Sequence, residues 1–281
     1  MIKIIECPRD AMQGIKEFIP TEKKINYINS LLRVGFDTID FGSFVSAKSI
    51  PQMQDTAAVL DALDLSETKS KLLAIIANTR GAEDAVEFDE ITYLGFPFSI
   101  SEIFQQRNTN SSIEESLKRV EEIQDLCFRN NKKLVVYLSM AFGNPYNELW
   151  NEDIAIKWTK KLAQLGIGTI ALSDTIGVSN PQKIKTLFSS LIGTFPKIEF
   201  GAHFHTTSEK WEEKIEAAYM SGCRRFDSAI KGFGGCPMAE DKLVGNMPTE
   251  NLIAYFKNLD LGLKNDLFAE SMKIALDTFP H

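Results

Sequence analysis

Short apolar runs alternate with longer amphipathic segments along the chain. The runs are continuously apolar rather than alternating with polar residues, which is typical of strands buried on both faces of a parallel sheet. Eight such runs are predicted as strands, at residues 2–6, 38–41, 72–77, 90–94, 134–139, 169–173, 198–204 and 226–230.

The segments between the runs carry apolar residues at helical spacing and begin at recognisable capping signals. Ser112 with Glu115 has the spacing of a capping box. Asn180 before Pro181 predicts a capped helix with proline in its first turn. The third and fourth runs lie close together, so the helix between them, at 81–87, is predicted to be short.

Eight strand–helix units predict a (β/α)8 TIM barrel, with a doubly wound open sheet as the alternative. No glycine-rich nucleotide-binding motif follows any run, which removes the usual nucleotide-binding version of that alternative. No low-complexity linker divides the sequence. We therefore expect residues 1–281 to form a single catalytic domain, in which 230–281 includes a glycine-rich active-site loop and the terminal helices. In such a barrel the active site lies at the C-terminal ends of the strands.

Composition narrows the classes of function. The 281 residues include 38 acidic and 31 basic side chains, and the net charge of −7 argues against nucleic-acid binding, which needs a basic face. No apolar run approaches the roughly 18 residues of a membrane span, so we expect no membrane partner. An acid at Glu6 comes too early for a secretory signal, and the four cysteines form no C-x-x-C pair. These features predict a cytoplasmic protein with reduced thiols.

The most informative local motif is His203-Phe204-His205, at the end of the seventh run. Side chains two residues apart on a strand share a face, so both imidazoles point the same way. Two neutral imidazoles with one orientation suit a divalent metal. Two of the three histidines in the chain fall here, which favours a metal site over two unrelated polar residues.

Carboxylates and a guanidinium also follow predicted strands. Asp10 can place an oxygen on a metal, although its pairing with Arg9 could equally be a simple salt bridge. Arg9 is permanently charged and has a fixed fork of donors, so it suits an oxyanion that develops in a reaction. Asp40 and Asp174 end the second and sixth runs. All of these side chains are expected on one rim of the barrel.

A glycine-rich loop, GFGGCP, occupies 232–237 after the eighth run. A thiol on a mobile loop can act as an acid or a base if its pKa is lowered, which makes Cys236 a candidate. A plain turn with an incidental free cysteine is the simpler interpretation of this sequence alone. Asn246 offers a carbonyl oxygen a few residues later, although an asparagine there could also be a turn or cap residue.

Taken together, these segments resemble the hydroxymethylglutaryl-CoA lyase family, one of the metal-dependent lyase and aldolase barrels that also include isopropylmalate and homocitrate synthases. The stretches Ser-Phe-Val-Ser at 43–46 and Gly-Gly-Cys-Pro at 234–237 point to the lyase rather than to the synthases. The resemblance covers nearly the whole chain. Its other segments are Pro8-Arg9-Asp10 with Gln13, Lys48, Pro51-Gln52-Met53, residues 112–116 and 174–178, the two histidines, and Gly245-Asn246.

The resemblance implies a divalent metal, Mg²⁺ or Mn²⁺, held by Asp10, His203, His205 and Asn246. The implied reaction splits 3-hydroxy-3-methylglutaryl-CoA into acetoacetate and acetyl-CoA. The expected partner is therefore a small acyl-CoA, in leucine degradation and ketone-body supply, and a homo-oligomer is compatible with the sequence.

The resemblance also implies a role for each candidate residue. Arg9 would stabilise the enolate oxygen, and Cys236 would donate the proton to carbon. His203 or Asp174 would accept the hydroxyl proton, and the sequence does not decide between them; Asp40 completes the catalytic set. The substrate is expected to contact Arg9, Gln13, Ser43, Lys48 and Thr175.

The chain departs from the family pattern at several positions. Asp40 stands where Glu is usual, Ala11 where Gly is usual, Thr206 where Asp is usual, and Gln106 where Lys is usual. None of these removes an expected ligand. They leave open a related divalent-metal aldolase or Claisen-type condensing enzyme that acts on another 3-hydroxy acid or acyl-CoA, and also a barrel without activity that serves as a scaffold.

Overall fold

Within the described residues, 1–235 and 244–279 of a computed structural model, eight parallel strands close into a barrel. Their order around the ring follows their order in the chain, and the ring closes through pairing of the first strand with the eighth. This is the predicted (β/α)8 TIM barrel, and the open-sheet alternative is wrong. The strands are β1 (Lys3–Glu6), β2 (Thr38–Ser43), β3 (Lys71–Ile75), β4 (Ile91–Ser99), β5 (Lys133–Ser139), β6 (Thr169–Asp174), β7 (Glu199–Thr206) and β8 (Arg225–Ser228).

Helices surround this ring and cover its outer face. No helix of the described residues combines the length and the apolar character needed to cross a bilayer. The helices are α1 (Pro8–Gln13), α2 (Thr21–Val34), α3 (Thr56–Asp61), α4 (Thr79–Val86), α5 (Glu102–Thr109), α6 (Ile113–Arg129), α7 (Glu152–Gln164), α8 (Pro181–Thr194), α9 (Trp211–Met220), α10 (Thr249–Tyr255) and α11 (Asn265–Thr278).

The predicted capping signals are confirmed. The Ser112 side chain accepts from the backbone N–H of Glu115, and the Glu115 carboxylate accepts from the backbone N–H of Ser112, which completes the capping box of α6. Asn180 caps α8 by accepting from the N–H of Lys183 at 2.9 Å. These contacts satisfy N–H groups that a helix start otherwise leaves without partners.

The main difference from the predicted strands is β4, which continues to Ser99 instead of ending at Leu94. The added part contains Gly95 and Pro97, which are both unusual residues within a strand. A Cβ at position 95 would lie 2.5 Å from the Ile75 Cδ1, so glycine is required for this close approach. The pairing with β3 ends at Gly95, and beyond it β4 pairs only with β5, which allows a proline in the strand.

The apolar core has two parts. The larger part lies between the strands and the helices. The smaller part consists of inward-facing residues of β3 to β6, namely Leu73, Ile75, Tyr93, Val135, Tyr137 and Ala171. It occupies the barrel interior, and barrel active sites lie beyond such a core, at the carboxyl ends of the strands.

A two-residue strand, β9 (Gly245–Asn246), crosses this carboxyl end and pairs antiparallel with β7. Asn246 lies opposite His205 in this pairing. The chain leaves the barrel after β8, and the short strand then brings the Asn246 side chain back to the two histidines that were predicted to bind a metal.

Candidate metal centre and active site

A cavity of about 700 Å³ opens at the carboxyl ends of the strands. It contains most of the predicted rim and several residues that the sequence did not single out. The lining includes Arg9, Asp10, Gln13, Ser46, Asn78, Arg107, Arg119, Tyr137, Ser139, Thr175, His203 and His205.

Asp10, His203 and His205 form a cluster in which the possible ligand atoms all lie within 4.8 Å of one another. The histidines alternate with Phe204 on β7, which brings both rings to the cavity side with their centroids 5.4 Å apart. Asp10 lies in the first turn of α1, directly beyond β1, and its Oδ2 is 4.0 Å from the His203 Nε2. The three side chains are arranged as a divalent cation requires.

The hydrogen bonds of Asp10 test whether the cluster fits a cation. Its Oδ1 accepts from the Arg9 Nη1 at 2.8 Å and from the Gln13 Nε2 at 2.6 Å. Its Oδ2 is buried, and none of the described residues hydrogen-bonds to it. A buried carboxylate oxygen without a partner is costly, and next to two imidazoles a cation supplies the missing partner. The residues therefore fit a divalent metal.

Electrostatics keep these ligands in the states that bind metals. Burial raises the pKa of Asp10, but Arg9 and the two histidines outweigh it and lower that pKa to about 2. The carboxylate is therefore ionised. Burial, together with the neighbouring His203, lowers the pKa of His205, which favours its neutral imidazole. The His205 Nδ1 lies 3.2 Å from the Val244 carbonyl oxygen, and since that oxygen only accepts, the Nε2 keeps its lone pair.

Asn246 joins the cluster from β9. Its Nδ2 donates to the Phe233 carbonyl oxygen at 2.9 Å, and its amide helps to lower the pKa of Asp10. An amide donates only through its nitrogen, so the contact with Phe233 leaves the Oδ1 available. This is the oxygen that the sequence predicted as a ligand.

Arg9 is held in place by two carboxylates. Its Nε and Nη2 bond to Asp40 on β2, and its Nη1 bonds to Asp10. Burial lowers the pKa of Arg9, but Asp40 and Asp10 outweigh it and raise the pKa, so the guanidinium stays charged. Asp40 is fully buried, and burial raises its pKa to about 6 in spite of Arg9. Asp40 thus orients Arg9, and Arg9 lines the cavity.

Asp174 is engaged in a different contact set. Its Oδ2 bonds to the Lys214 Nζ at 2.6 Å, and both oxygens also accept from Ser179. Lys214 lies on α9, is 1% exposed and also donates to the His205 carbonyl oxygen at 2.9 Å. Lys214 could not be predicted from the sequence, because a lysine in an amphipathic helix is normally solvated.

The expected substrate contacts divide into two groups. Gln13 and Thr175 line the cavity. The Thr175 hydroxyl also accepts from the backbone N–H of Met140 at 2.8 Å, which holds Met140 at a left-handed φ of 59°. The Ser43 hydroxyl donates to the Ile75 carbonyl oxygen and accepts from the N–H of Val45, so it fixes the loop after β2.

Lys48 and Cys236 complete the predicted set. Lys48 is exposed in the loop after β2. Cys236 lies outside the described residues, which resume at Val244. Two arginines, Arg107 and Arg119, also line the cavity and are further cationic groups.

This barrel, with a carboxylate–imidazole cluster and a fixed guanidinium beyond its strands, has the features of the metal-dependent barrel enzymes. The HMGL-like family profile matches residues 2–275, and the chain belongs to this family. Hydroxymethylglutaryl-CoA lyase of Bacillus subtilis is 33% identical over 254 residues, which cover 90% of this chain and 84% of that protein.

Two further relatives agree with this assignment. Cytoplasmic 3-hydroxy-3-methylglutaryl-CoA lyase of Rattus norvegicus is 34% identical over 269 residues, covering 95% of this chain and 77% of that protein. The solved HMG-CoA lyase of Acinetobacter baumannii, in complex with coenzyme A and 3-methylmalate, superimposes with a TM-score of 0.88 at 29% identity. The superposition covers 97% of this chain and 89% of the chain of that structure. The resemblance to the hydroxymethylglutaryl-CoA lyase family, inferred from the motifs, is thus confirmed.

Proposed function

We propose that this protein is a carbon–carbon lyase that cleaves 3-hydroxy-3-methylglutaryl-CoA into acetoacetate and acetyl-CoA. The observation that carries the proposal is the cluster of Asp10, His203 and His205 beside Arg9, in a chain of the HMGL-like family. The relatives described above are lyases, which does not favour the alternative of a condensing enzyme. A scaffold without activity is not supported, because the chain keeps a complete ligand cluster.

The residues divide the chemistry between the two fragments. A divalent cation, held by Asp10, His203, His205 and Asn246, would polarise the tertiary hydroxyl of the substrate. The hydroxyl loses its proton, its oxygen becomes the ketone of acetoacetate, and the electrons of the broken C–C bond pass to the thioester as an enolate. Arg9 stabilises the enolate oxygen. Cys236 then donates the proton that completes acetyl-CoA.

His203 is the better candidate for the base. It lines the cavity, whereas both carboxylate oxygens of Asp174 are bonded to Lys214 and Ser179. The His203 Nδ1 faces Asp227, so only its Nε2 could accept the hydroxyl proton, and as the base His203 would give up its role as a metal ligand. We propose that Asp174 instead holds the loop after β6 against α9.

Substrate recognition follows from the cavity lining. We propose that Arg9, Gln13 and Thr175 contact the acyl part, and that Ser43 acts through the loop that it fixes. Lys48, together with Arg107 and Arg119, supplies positive charge for the phosphates of CoA.

The direct test is an assay with purified protein, 3-hydroxy-3-methylglutaryl-CoA, Mg²⁺ or Mn²⁺, and a coupled acetoacetate readout. We expect acetoacetate only with metal, and loss of activity in His205→Ala. Asp37→Asn, which removes an ion pair with Lys71 away from the cavity, is the matched control and should stay active. Acetoacetate that does not exceed a metal-free control would refute the proposed substrate.

Further properties belong to the same proposal. We propose Mg²⁺ as the metal, with Mn²⁺ as a substitute, a cytoplasmic location, a role in leucine degradation and ketone-body supply, and a homo-oligomer. The support is the motif resemblance. We also propose that 1–281 is one catalytic domain; its support is that β1 and β8 pair directly and that α11 packs on α2.

A further inference from the structure

Three polar side chains from β7 and β8 lie inside the barrel below the cavity. His203 is paired with Asp227 across the two strands, and Gly201 with Arg225, two residues earlier on each strand. Side chains two residues apart on a strand share a face. Arg225, Asp227 and His203 therefore follow one another from the interior towards the metal cluster.

The contact between His203 and Asp227 fixes the imidazole. The His203 Nδ1 lies 3.2 Å from the Asp227 Oδ2, and the Asp227 side chain is 1% exposed. An ionised carboxylate only accepts, so the Nδ1 carries the proton and the Nε2 keeps its lone pair. That Nε2 faces Asp10. Tyr137 packs edge-on against the ring at 5.4 Å and restricts its rotation.

The two histidines of the cluster are thus held by different kinds of acceptor. The His205 Nδ1 faces a neutral backbone carbonyl, that of Val244, whereas the His203 Nδ1 faces a carboxylate. A carboxylate partner orients a ligating imidazole and makes its other nitrogen a stronger ligand. The more strongly held histidine is therefore His203.

Arg225 places a positive charge on the same face of β8 as Asp227. It is 1% exposed, and its three guanidinium nitrogens have no hydrogen-bond partner among the described residues. The guanidinium is nevertheless opposite in charge to the side chain of Asp227, which lies on the same face of β8. Its other acidic neighbour, Glu199, is 3.9 Å away. A buried charge needs an opposite charge nearby.

Space for this arginine is provided by the facing strand. A Cβ at Gly201 would lie 3.0 Å from the Arg225 Cδ and 3.2 Å from its Cγ, tighter than ordinary contacts. The Tyr93 ring, with its centroid 5.8 Å from the guanidinium carbon, covers another side. The barrel is thus shaped around a buried cation.

We propose that Asp227 is a positioning residue for His203, which it holds with the Nε2 towards the metal cluster, and that Arg225 is the counter-charge of Asp227. The proposal rests on the metal site proposed above and is independent of the thioester substrate. Asp227 could not be predicted from the sequence because it lies within the last barrel strand, whereas the predicted site residues lie at or beyond strand ends.

The test measures binding of Mn²⁺ alone to chelator-treated protein, by calorimetry and by the spin-resonance signal of free Mn²⁺. Asp227→Asn keeps the shape and removes the charge, so we expect Mn²⁺ affinity to fall by about 10- to 100-fold, the usual scale for such partners. The circular dichroism spectrum should not change. Asp37→Asn, an aspartate in an ion pair outside the cavity, should bind as the unaltered protein does.

Arg225→Met should weaken Mn²⁺ binding in the same direction. Combined with Asp227→Asn it should add little, because both changes act through His203. Affinity within twofold of the unaltered protein in a folded Asp227→Asn variant would overturn the role of Asp227. Fully additive losses in the double variant would overturn the role of Arg225.

A second measurement needs no Asp227 variant. Long-range proton–nitrogen spectra of ¹⁵N-histidine protein, assigned with His203→Gln, should show neutral His203 with its proton on Nδ1. A proton on Nε2 would overturn the proposal. Mn²⁺ binding without thioester cleavage would refute only the proposed substrate, whereas unaltered protein that binds no Mn²⁺ would refute the metal site and this inference together.

Discussion

At the scale of single residues, the candidate site depends on charged groups that orient one another. Arg9, Asp10 and the two histidines could be predicted because they lie at or just beyond strand ends, where the active sites of barrels lie. Arg225, Asp227 and Lys214 could not, because charged residues within strands and helices are usually solvated. These three are instead buried, each at most 3% exposed. Burial of a charge depends on partners distant in sequence, which a local pattern does not contain.

The paired hydrogen bonds from Arg9 to Asp40 give a first prediction. Arg9→Lys keeps the charge but loses the fixed geometry of the Nε and Nη2 contacts. We expect kcat to fall by about 10²- to 10³-fold, the scale seen when an oxyanion donor is removed, while Mn²⁺ still binds. Steady-state kinetics and metal titration check this, and a variant that retains half of the kcat would contradict the role of Arg9.

Cys236 gives a second prediction at this scale. We expect Cys236→Ala to lower turnover by about 10²-fold or more, as for loss of a general acid, with metal content unchanged. Cys127→Ala, at a thiol buried in α6, is the matched control. Retained activity in Cys236→Ala would favour the condensing-enzyme alternative, since a synthase has no evident need for that thiol.

At the scale of elements, capping signals and apolar runs predicted the order and type of strands and helices, whereas the contacts between elements came from the structure alone. Glu6, at the end of β1, shows this. It is fully buried and accepts from the backbone N–H of Ile230 at 2.9 Å and from the Thr249 hydroxyl. One carboxyl group therefore links β1, α10 and the short 3-10 helix Ile230–Gly232 that follows β8.

This link predicts a pH dependence of stability. Burial raises the pKa of Glu6 from 4.5 to about 8 and outweighs its hydrogen bonds with Thr249 and Ile230. The folded protein therefore keeps a proton that the unfolded chain releases. The contribution of this bound proton to the free energy of unfolding is complete below pH 4.5 and is lost as the pH rises through about 8.

Glu6→Gln cannot ionise, so its free energy of unfolding should rise relative to the unaltered protein between pH 5 and pH 9. The upper limit of this gain is about 5 kcal/mol. Urea unfolding at the two pH values measures it, with Glu17→Gln at an exposed position as control. An equal difference between the two proteins at both pH values would show that Glu6 is not protonated in the fold.

At the scale of the whole molecule, the metal cluster joins distant parts of the chain. Asp10 comes from the start of α1, the histidines from β7, and Asn246 from β9. The barrel could be predicted because its repeat is present in the sequence. The crossing of β9 could not, because a two-residue strand has no periodicity to detect.

A ligand that bridges such distant segments should stabilise the fold. At a metal concentration 100 times its Kd, binding adds about 2.7 kcal/mol, which corresponds to a rise of roughly 5 °C in Tm for a chain of this size. Thermal unfolding with and without Mn²⁺ measures this shift. Asp10→Ala should lose it and Asp37→Asn should keep it; an equal shift in both variants would place the metal elsewhere.

Phe233 connects the cluster to the outer layer of the protein. Its carbonyl oxygen accepts from Asn246, and its ring stacks on Phe279 at 4.5 Å, which in turn packs edge-on against Tyr27 of α2. Variants with lost activity should therefore map not only to the cavity but also to the seam between α2 and α11. In a population of natural variants, harmful changes at that seam are therefore expected to disturb the position of Asn246 as well as folding, through the contacts of Phe233.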